Sequence, residues 1–302
     1  MRKLPRSKPK IRPVKITDKL LRAWALPKPA REGDKEARGA ALIIAGADGM
    51  PGAAILPATA ALRAGAGKLQ IATEPSVAPW VALGVLEAAV IALPDRGQKK
   101  ERAHFFGRVK RAGAVLVGPG MDQCESLSHR VAKIVPHLRE APLVLDAGAL
   151  GCFEHLPACL DKIRGRVIIT PHAGEMAKII GRPKEEILAD PASVALRFAK
   201  ERGVITILKG SRTYIAGVDG TLYYNEAGNV GLATSGSGDI LAGIITGLCA
   251  RGAEPLQAAV WGVYLHATAG DALAARLGPL GYLARELLPE IPGLMRRLGP
   301  KA

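Results

Sequence analysis

The chain has 302 residues, with 42 Lys+Arg against 27 Asp+Glu, a formal net charge of +15, 48% hydrophobic residues and 4% aromatic ones. Length and apolar fraction suit a globular fold with a large buried core and exclude a wholly disordered chain. No stretch of about 20 residues runs apolar without a charge, Gly or Pro, which argues against a transmembrane helix, and the basic start Met-Arg-Lys-Leu-Pro leads into no apolar signal region, so the cytoplasm is the expected compartment.

The first 40 residues hold thirteen Lys/Arg and four acids, so +9 of the +15 lies there. Pro5, Pro9, Pro13, Pro27 and Pro29 break any helical period, and residues 1–39 read as an extended basic arm outside the main core, with one short helical piece near 16–24. Such an arm can meet nucleic acid or another anionic surface. A solvated tail, or a strap along a neighbouring subunit, is the simpler reading, since only Trp24 is available for stacking on bases. On this reading the chain tolerates deletion of residues 1–35.

From residue 40 onward, short continuous Val/Ile/Leu runs at 41–45, 68–72, 89–93, 114–117, 143–145, 167–170 and 206–208 predict strands buried on both faces of a parallel sheet. Helical spacing lies between them at 53–64, 127–138 and 192–201, so the order is strand then helix, an α/β fold with helices on both sides of the sheet. Residues 213–216 and 221–224, joined across Asp219-Gly220, predict one antiparallel hairpin. After Asp239 the pattern is helical to the end, at 240–251, 255–277 and about 280–298. Residues 40–302 read as one domain. Cys124, Cys152, Cys159 and Cys249 form no C-x-x-C pair and read as reduced, buried apolar residues.

In open α/β sheets ligands lie at the carboxyl ends of strands. Glycine-containing turns fall there at 46–53, 118–120, 146–148 and 171–175. The strongest segment is 228–239, whose small residues immediately before a helix make an anion site for phosphate. Asp239 at that helix start is either a plain cap or a base that draws a proton from a hydroxyl attacking phosphorus. Lys209-Gly210-Ser211-Arg212-Thr213 either holds phosphate charge or marks an exposed hairpin entrance. His172 follows Pro171 at a strand end and reads as a site residue, whereas His266, in a helical run, reads as a satisfied packing residue.

The runs G-M-P-G-A-A (49–54), A-L-R-A-G-A-G (61–67), V-G-P-G (117–120), T-P-H-A-G-E (170–175), L-K-G-S-R-T (208–213) and G-S-G-D-I-L-A-G (236–243) together resemble the nucleotide-dependent NAD(P)H-hydrate dehydratases of the ribokinase-like superfamily. The resemblance spans about 40–298, and the epimerase domain that some bacterial members carry at the N-terminus has no counterpart in it. It implies a ribokinase-like three-layer α/β/α sandwich with a mostly parallel central sheet. It also implies a repair enzyme that acts on the S form of NADH or NADPH hydrate, with ADP as the expected donor and ATP as the other candidate. By motif, Asp239 is the base and contacts the hydrate, and the backbone N–H groups of Gly236, Ser237 and Gly238 stabilise the transferring phosphoryl group. Lys209, Gly210, Ser211, Arg212, Thr213 and Gly238 hold the AMP part, and Ala53, Gly120 and His172 contact the hydrated dinucleotide. A Mg²⁺ ion with mostly water ligands is implied, with Glu175 as its candidate outer contact, as is a homo-oligomer, commonly a tetramer.

Three departures stand out. Gly148 replaces the second acid of an Asp-Ala-Asp run, Ser235 replaces a glycine before the anion site, and Met50 replaces a frequent tyrosine. Two other readings remain: a small-molecule kinase of the same superfamily, of the hydroxyethylthiazole or pyrimidine kinase type, and a non-enzymatic nucleotide or nucleic-acid binder.

Overall fold

The apolar runs form the strands of one ten-stranded sheet, ordered β1-β10-β9-β8-β7-β6-β5-β2-β3-β4. The computed structural model describes residues 12–28, 34–36, 38–94, 98–123 and 125–299. Cys124 and the basic residues Arg2, Lys3, Arg6, Lys8, Lys10 and Arg31 lie outside them. In chain order the elements are β1 (Val14–Lys15), α1 (Asp18–Ala23), β2 (Ala40–Ile44), α2 (Gly52–Arg63), β3 (Lys68–Thr73), α3 (Ala78–Gly84), β4 (Ala89–Ala92), α4 (Lys99–Arg111), β5 (Ala114–Val117), α5 (Glu125–Ile134) and β6 (Leu143–Leu145). There follow α6 (Pro157–Leu160), β7 (Val167–Ile169), α7 (Ala173–Ile180), α8 (Lys184–Ala189), α9 (Pro191–Arg202), β8 (Ile205–Leu208), β9 (Thr213–Ala216), β10 (Leu222–Asn225), α10 (Ser237–Ala250), α11 (Pro255–Leu277) and α12 (Glu290–Leu298).

Strands β2 to β8 are mutually parallel, and β9 runs antiparallel between β8 and β10. Strand period two sends alternate residues to opposite faces. Ala41, Ile43, Leu116 and Val144 face a core built with α2, α10 and α11, while Leu42, Ile44, Val115 and Val117 face one built with α4, α5 and α9. Helix, sheet and helix thus make three layers. The closest helix contact is α2 against α10: a Cβ at Gly243 would lie 2.3 Å from Pro57 O, and one at Gly247 2.3 Å from Ala61 O, so only glycine lets the backbones meet.

Two predicted helices end early, each at a proline. Residues 127–138 divide into α5 and a 3₁₀ turn, Val135–His137, containing Pro136, and the 280–298 run divides at Pro289 into a 3₁₀ turn, Ala284–Leu287, and α12.

The arm is corrected more deeply. Residues 12–28 are built into the fold rather than lying outside its core. β1 pairs in parallel with β10, Thr17 caps α1 by accepting from Leu20 N at 3.2 Å, and Ile16 and Leu21 are buried. The buried Trp261 indole donates to Trp24 O at 2.8 Å, and Gln257 Nε2 donates to the same carbonyl at 3.1 Å. A buried indole N–H needs an acceptor, and here the strap backbone supplies it. The basic residues dominate the composition of a segment that nevertheless buries Ile16 and Leu21 and packs Leu20, Trp24 and Leu26 against the core. Removal of residues 1–28 is therefore expected to destabilise the protein by about 5 kcal/mol, from two uncovered apolar side chains and two orphaned donors. Denaturant midpoints of the full and shortened chains check this; equal midpoints would refute it.

Candidate functional site

The chain leaves β2 toward β3 and β4, and leaves β5 toward β6, β7 and β8, so the topological switch point lies between β2 and β5. In open α/β sheets the ligand crevice lies at such a point, outside the carboxyl ends. The floor there is backbone at close quarters. Gly46 N donates to Pro119 O at 2.8 Å, and Gly118 (φ 122°) leaves no room for a side chain, since a Cβ there would lie 1.9 Å from Asp146 O. A Cβ on Gly120 would meet Ala53 Cβ at 2.4 Å, so Ala53 and Gly120 are brought together.

The 228–239 segment ends at the N-terminus of α10. Gly236 takes the left-handed conformation (φ 84°) against Leu56 of α2, which a side chain would disturb. Ser237 donates its N–H to Thr234 O at 3.2 Å, leaving the amides of Gly236 and Gly238 without a backbone acceptor among the described residues. These two face the helix dipole's positive end. Lys209, at the end of β8, reaches the same place: a Cβ on Gly238 would lie 3.5 Å from Lys209 Nζ. Its ammonium also lies 3.6 Å from Asp146 Oδ1 and 3.9 Å from Glu175 Oε2.

Asp239 stands beside this cation. Burial, and secondly the charge of Asp146, push its carboxyl up to about 6, against the opposing pull of Lys209. Asp146 is itself buried and accepts from Thr170 Oγ1 at 2.5 Å. His172 and Glu175 form a reciprocal cap on α7: His172 Nδ1 accepts from Gly174 N and Glu175 N, and His172 N donates to Glu175 Oε2 at 2.8 Å. With Nδ1 accepting, the neutral ring carries its proton on Nε2. While doing this structural work, His172 lines the cleft on the β8–β10 side and Glu175 stands beside Lys209.

Two departures have local causes. A Cβ at Gly148 would lie 1.9 Å from Met121 O, so the loop after β5 occupies the space a second acid would need. Ser235 has negative φ, unlike Arg139 and Ala147, the two described non-glycine residues with positive φ, and so carries its side chain without strain.

Beyond Lys209 a cleft of about 650 Å³ runs between the β8–β10 ends and α11. Gly210, Ser211, Thr213 and Gly238 line one side, Val263 and Ala267 the other. Its roof is fixed by Asp271, which accepts from Gly228 N at 2.8 Å and Asn229 Nδ2 at 3.1 Å. Arg212 lies apart from this cleft: it pairs with Glu226, which also meets Lys15 at 2.6 Å, and its guanidinium stacks over Tyr224. His266, read as a packing residue, is buried, yet it lines the cleft with Nε2 2.9 Å from Ser237 Oγ, and burial pushes its pKa down to about 4. A helical His facing a Gly-rich segment carried no signal that the two would meet.

Among the described residues no group of three or more His, Cys, Asp or Glu is arranged to hold a metal ion, and no helix is long and apolar enough to cross a membrane. The family model described as NAD(P)H-hydrate dehydratase matches residues 41–293. An ADP-dependent (S)-NAD(P)H-hydrate dehydratase from Xanthomonas campestris pv. campestris is 46% identical over 293 residues, covering 96% of this chain and 98% of that protein. A crystal structure of the ADP/ATP-dependent NAD(P)H-hydrate dehydratase from Bacillus subtilis, co-crystallised with ATP/Mg²⁺, superposes with a TM-score of 0.77 at 32% identity, covering 93% of this chain and 97% of that one. A ribokinase-like superfamily protein from Enterococcus faecalis, TM-score 0.80 at 23% identity and covering 95% of this chain and 96% of that one, shares the fold.

Proposed function

The chain belongs to the NAD(P)H-hydrate dehydratase family, and on that premise we propose that it dehydrates the S form of NAD(P)H hydrate back to NAD(P)H while converting ADP to AMP and phosphate. The observation that carries the assignment of chemistry to residues is the Asp239 carboxyl beside Lys209 at the start of α10. With its pKa raised to about 6, it is ionised at neutral pH and yet basic enough to take a proton.

Hydroxide is a poor leaving group, so the hydroxyl of the hydrate must first be phosphorylated. Asp239 removes the hydroxyl proton as the oxygen attacks the terminal phosphorus of ADP and the bond to AMP breaks. Lys209 and the Gly236 and Gly238 amides stabilise charge on the phosphoryl oxygens. The ring nitrogen lone pair then expels phosphate, and loss of a ring proton restores the double bond. Gly210, Ser211 and Thr213 line the AMP end, while Arg212 stands apart from it on Glu226 and Tyr224. Ala53, Gly120 and His172 border the dihydronicotinamide end.

Asp146 and Glu175 are already bonded to protein partners, which suits a Mg²⁺ ion carried on nucleotide phosphates and water rather than in a protein cage. Such an ion supplies neutralisation of phosphate charge, with Glu175 reaching it through water. Cytoplasmic residence and assembly into a homotetramer belong to the same reading. The relatives' names favour dehydration over a kinase that stops at the phosphorylated product.

The test is direct. Purified protein with Mg²⁺ and either ADP or ATP is added to NADH hydrate, and dihydronicotinamide absorbance is followed. Recovery with ADP is expected; no recovery with either nucleotide would sink the reading.

A further inference from the structure

We propose that a second, basic pocket at the carboxyl ends of β3 and β4 binds a phosphate of the adenosine half of the dinucleotide substrate. The pocket encloses about 370 Å³ between α4 and α5, with Glu74 and Pro94 on its floor and Arg102, His129, Arg130 and Lys133 on its walls. Arg130 is half-buried, and neither its side chain nor that of Lys133 has a hydrogen bond or ion pair with a described residue. A partly desolvated guanidinium without an acceptor, in a concavity rich in cations, is a site for an anion. Glu74 repels a phosphate on the floor, which places the phosphate on the α5 side and leaves the carboxylate for a ribose hydroxyl.

Backbone links the pocket to the switch point between β2 and β5. Gly120 adjoins Gly46, Thr73 Oγ1 donates to Gly46 O at 3.3 Å, Leu93 N donates to Thr73 O at 2.7 Å, and Glu74 and Pro94 follow directly. From the β5 end to the β4 end is three strand spacings, roughly 14 Å. This proposal rests on the dehydratase reading. With the nucleotide in the cleft on the β8–β10 side and the hydrated ring at Ala53 and Gly120, the rest of the dinucleotide must extend over β2, β3 and β4, toward Arg130 and Lys133.

The experiment measures kcat/KM for NADPH hydrate, NADH hydrate and the hydrate of reduced nicotinamide mononucleotide, which lacks the adenosine half. The full-length enzyme is compared with Arg130→Ala and with Lys133→Glu, the latter on an exposed position that tolerates change. Either variant is expected to lower kcat/KM for a dinucleotide hydrate about tenfold, as for loss of one charge-assisted contact, and to leave the mononucleotide within about twofold. Loss confined to NADPH hydrate assigns the 2′-phosphate; equal loss with NADH hydrate assigns the pyrophosphate. Equal change for all three hydrates, or none, overturns the pocket. Failure of the unmodified enzyme on every hydrate instead overturns the functional reading, and the pocket with it.

Discussion

Asp239→Asn is expected to lower turnover of NAD(P)H hydrate by about a thousandfold or more, the scale of losing a positioned general base, while ADP binding stays within a few-fold. The substitution keeps the size of a side chain that makes no cap hydrogen bond at the start of α10, so the anion site and the approach of Lys209 to it survive. What disappears is the group that can hold the hydroxyl proton. The pH dependence of the unmodified enzyme supports the same test: kcat/KM should rise with pH through about 6, where the carboxyl ionises, and then level off. The variant should lose that limb.

Stability should move the other way. The folded pKa, about 6, lies above the ordinary value of 3.8, so folding favours the protonated form. That contribution is full below the ordinary value and is lost as pH rises through about 6. At pH 8 the ionised carboxylate costs on the order of 2 kcal/mol, allowing for its partial exposure. Asn should therefore raise the melting temperature by a few degrees at pH 8 and leave it nearly unchanged at about pH 3, below the ordinary carboxyl value. Near-normal turnover, or a lower melting temperature at pH 8, would make Asp239 a structural cap.

Much of this arrangement was legible in the sequence because the signals were local. Runs such as Leu42–Ile44 and Val115–Val117 sit in buried parallel strands, and period and burial coincide there. The Gly236-Ser237-Gly238-Asp239 turn is a contiguous motif whose backbone geometry follows from its residues. What stayed hidden was carried by pairs distant in the chain. Lys209 meets Asp146 and Gly238, Ser237 meets His266, and Trp261 finds its acceptor at Trp24. None of these partners has a spacing that announces it. The strap shows this most plainly: its prolines and charges describe an exposed tail, whereas pairing with β10, burial of Ile16 and Leu21 and the acceptors it gives Trp261 and Gln257 lay it on the fold.

Lys209→Met should be almost as damaging as loss of Asp239, for a different reason. The ammonium is shared by Asp146, Glu175 and the Gly238 turn, so it offsets two carboxylates at rest, and under the proposed function it meets phosphoryl oxygens in the reaction. Removing it is expected to cost about 10²–10³ in kcat, the scale of a lost charge-stabilising donor, and to weaken ADP binding as well. Methionine fills similar volume, so packing is preserved. The charge of Lys209 also opposes the rise in the Asp239 pKa. Without it the acid limb of the pH profile should move upward, so that activity at pH 6.5 falls further, relative to pH 8.5, than in the unmodified enzyme. Lys209→Arg separates the two roles. It keeps the positive charge and should hold the limb in place, but its planar fork presents donors in a different geometry from a compact ammonium, so the rate should stay low. If Met and Arg gave the same pH limb, the ammonium would be a phosphate contact alone and would have no part in tuning the base.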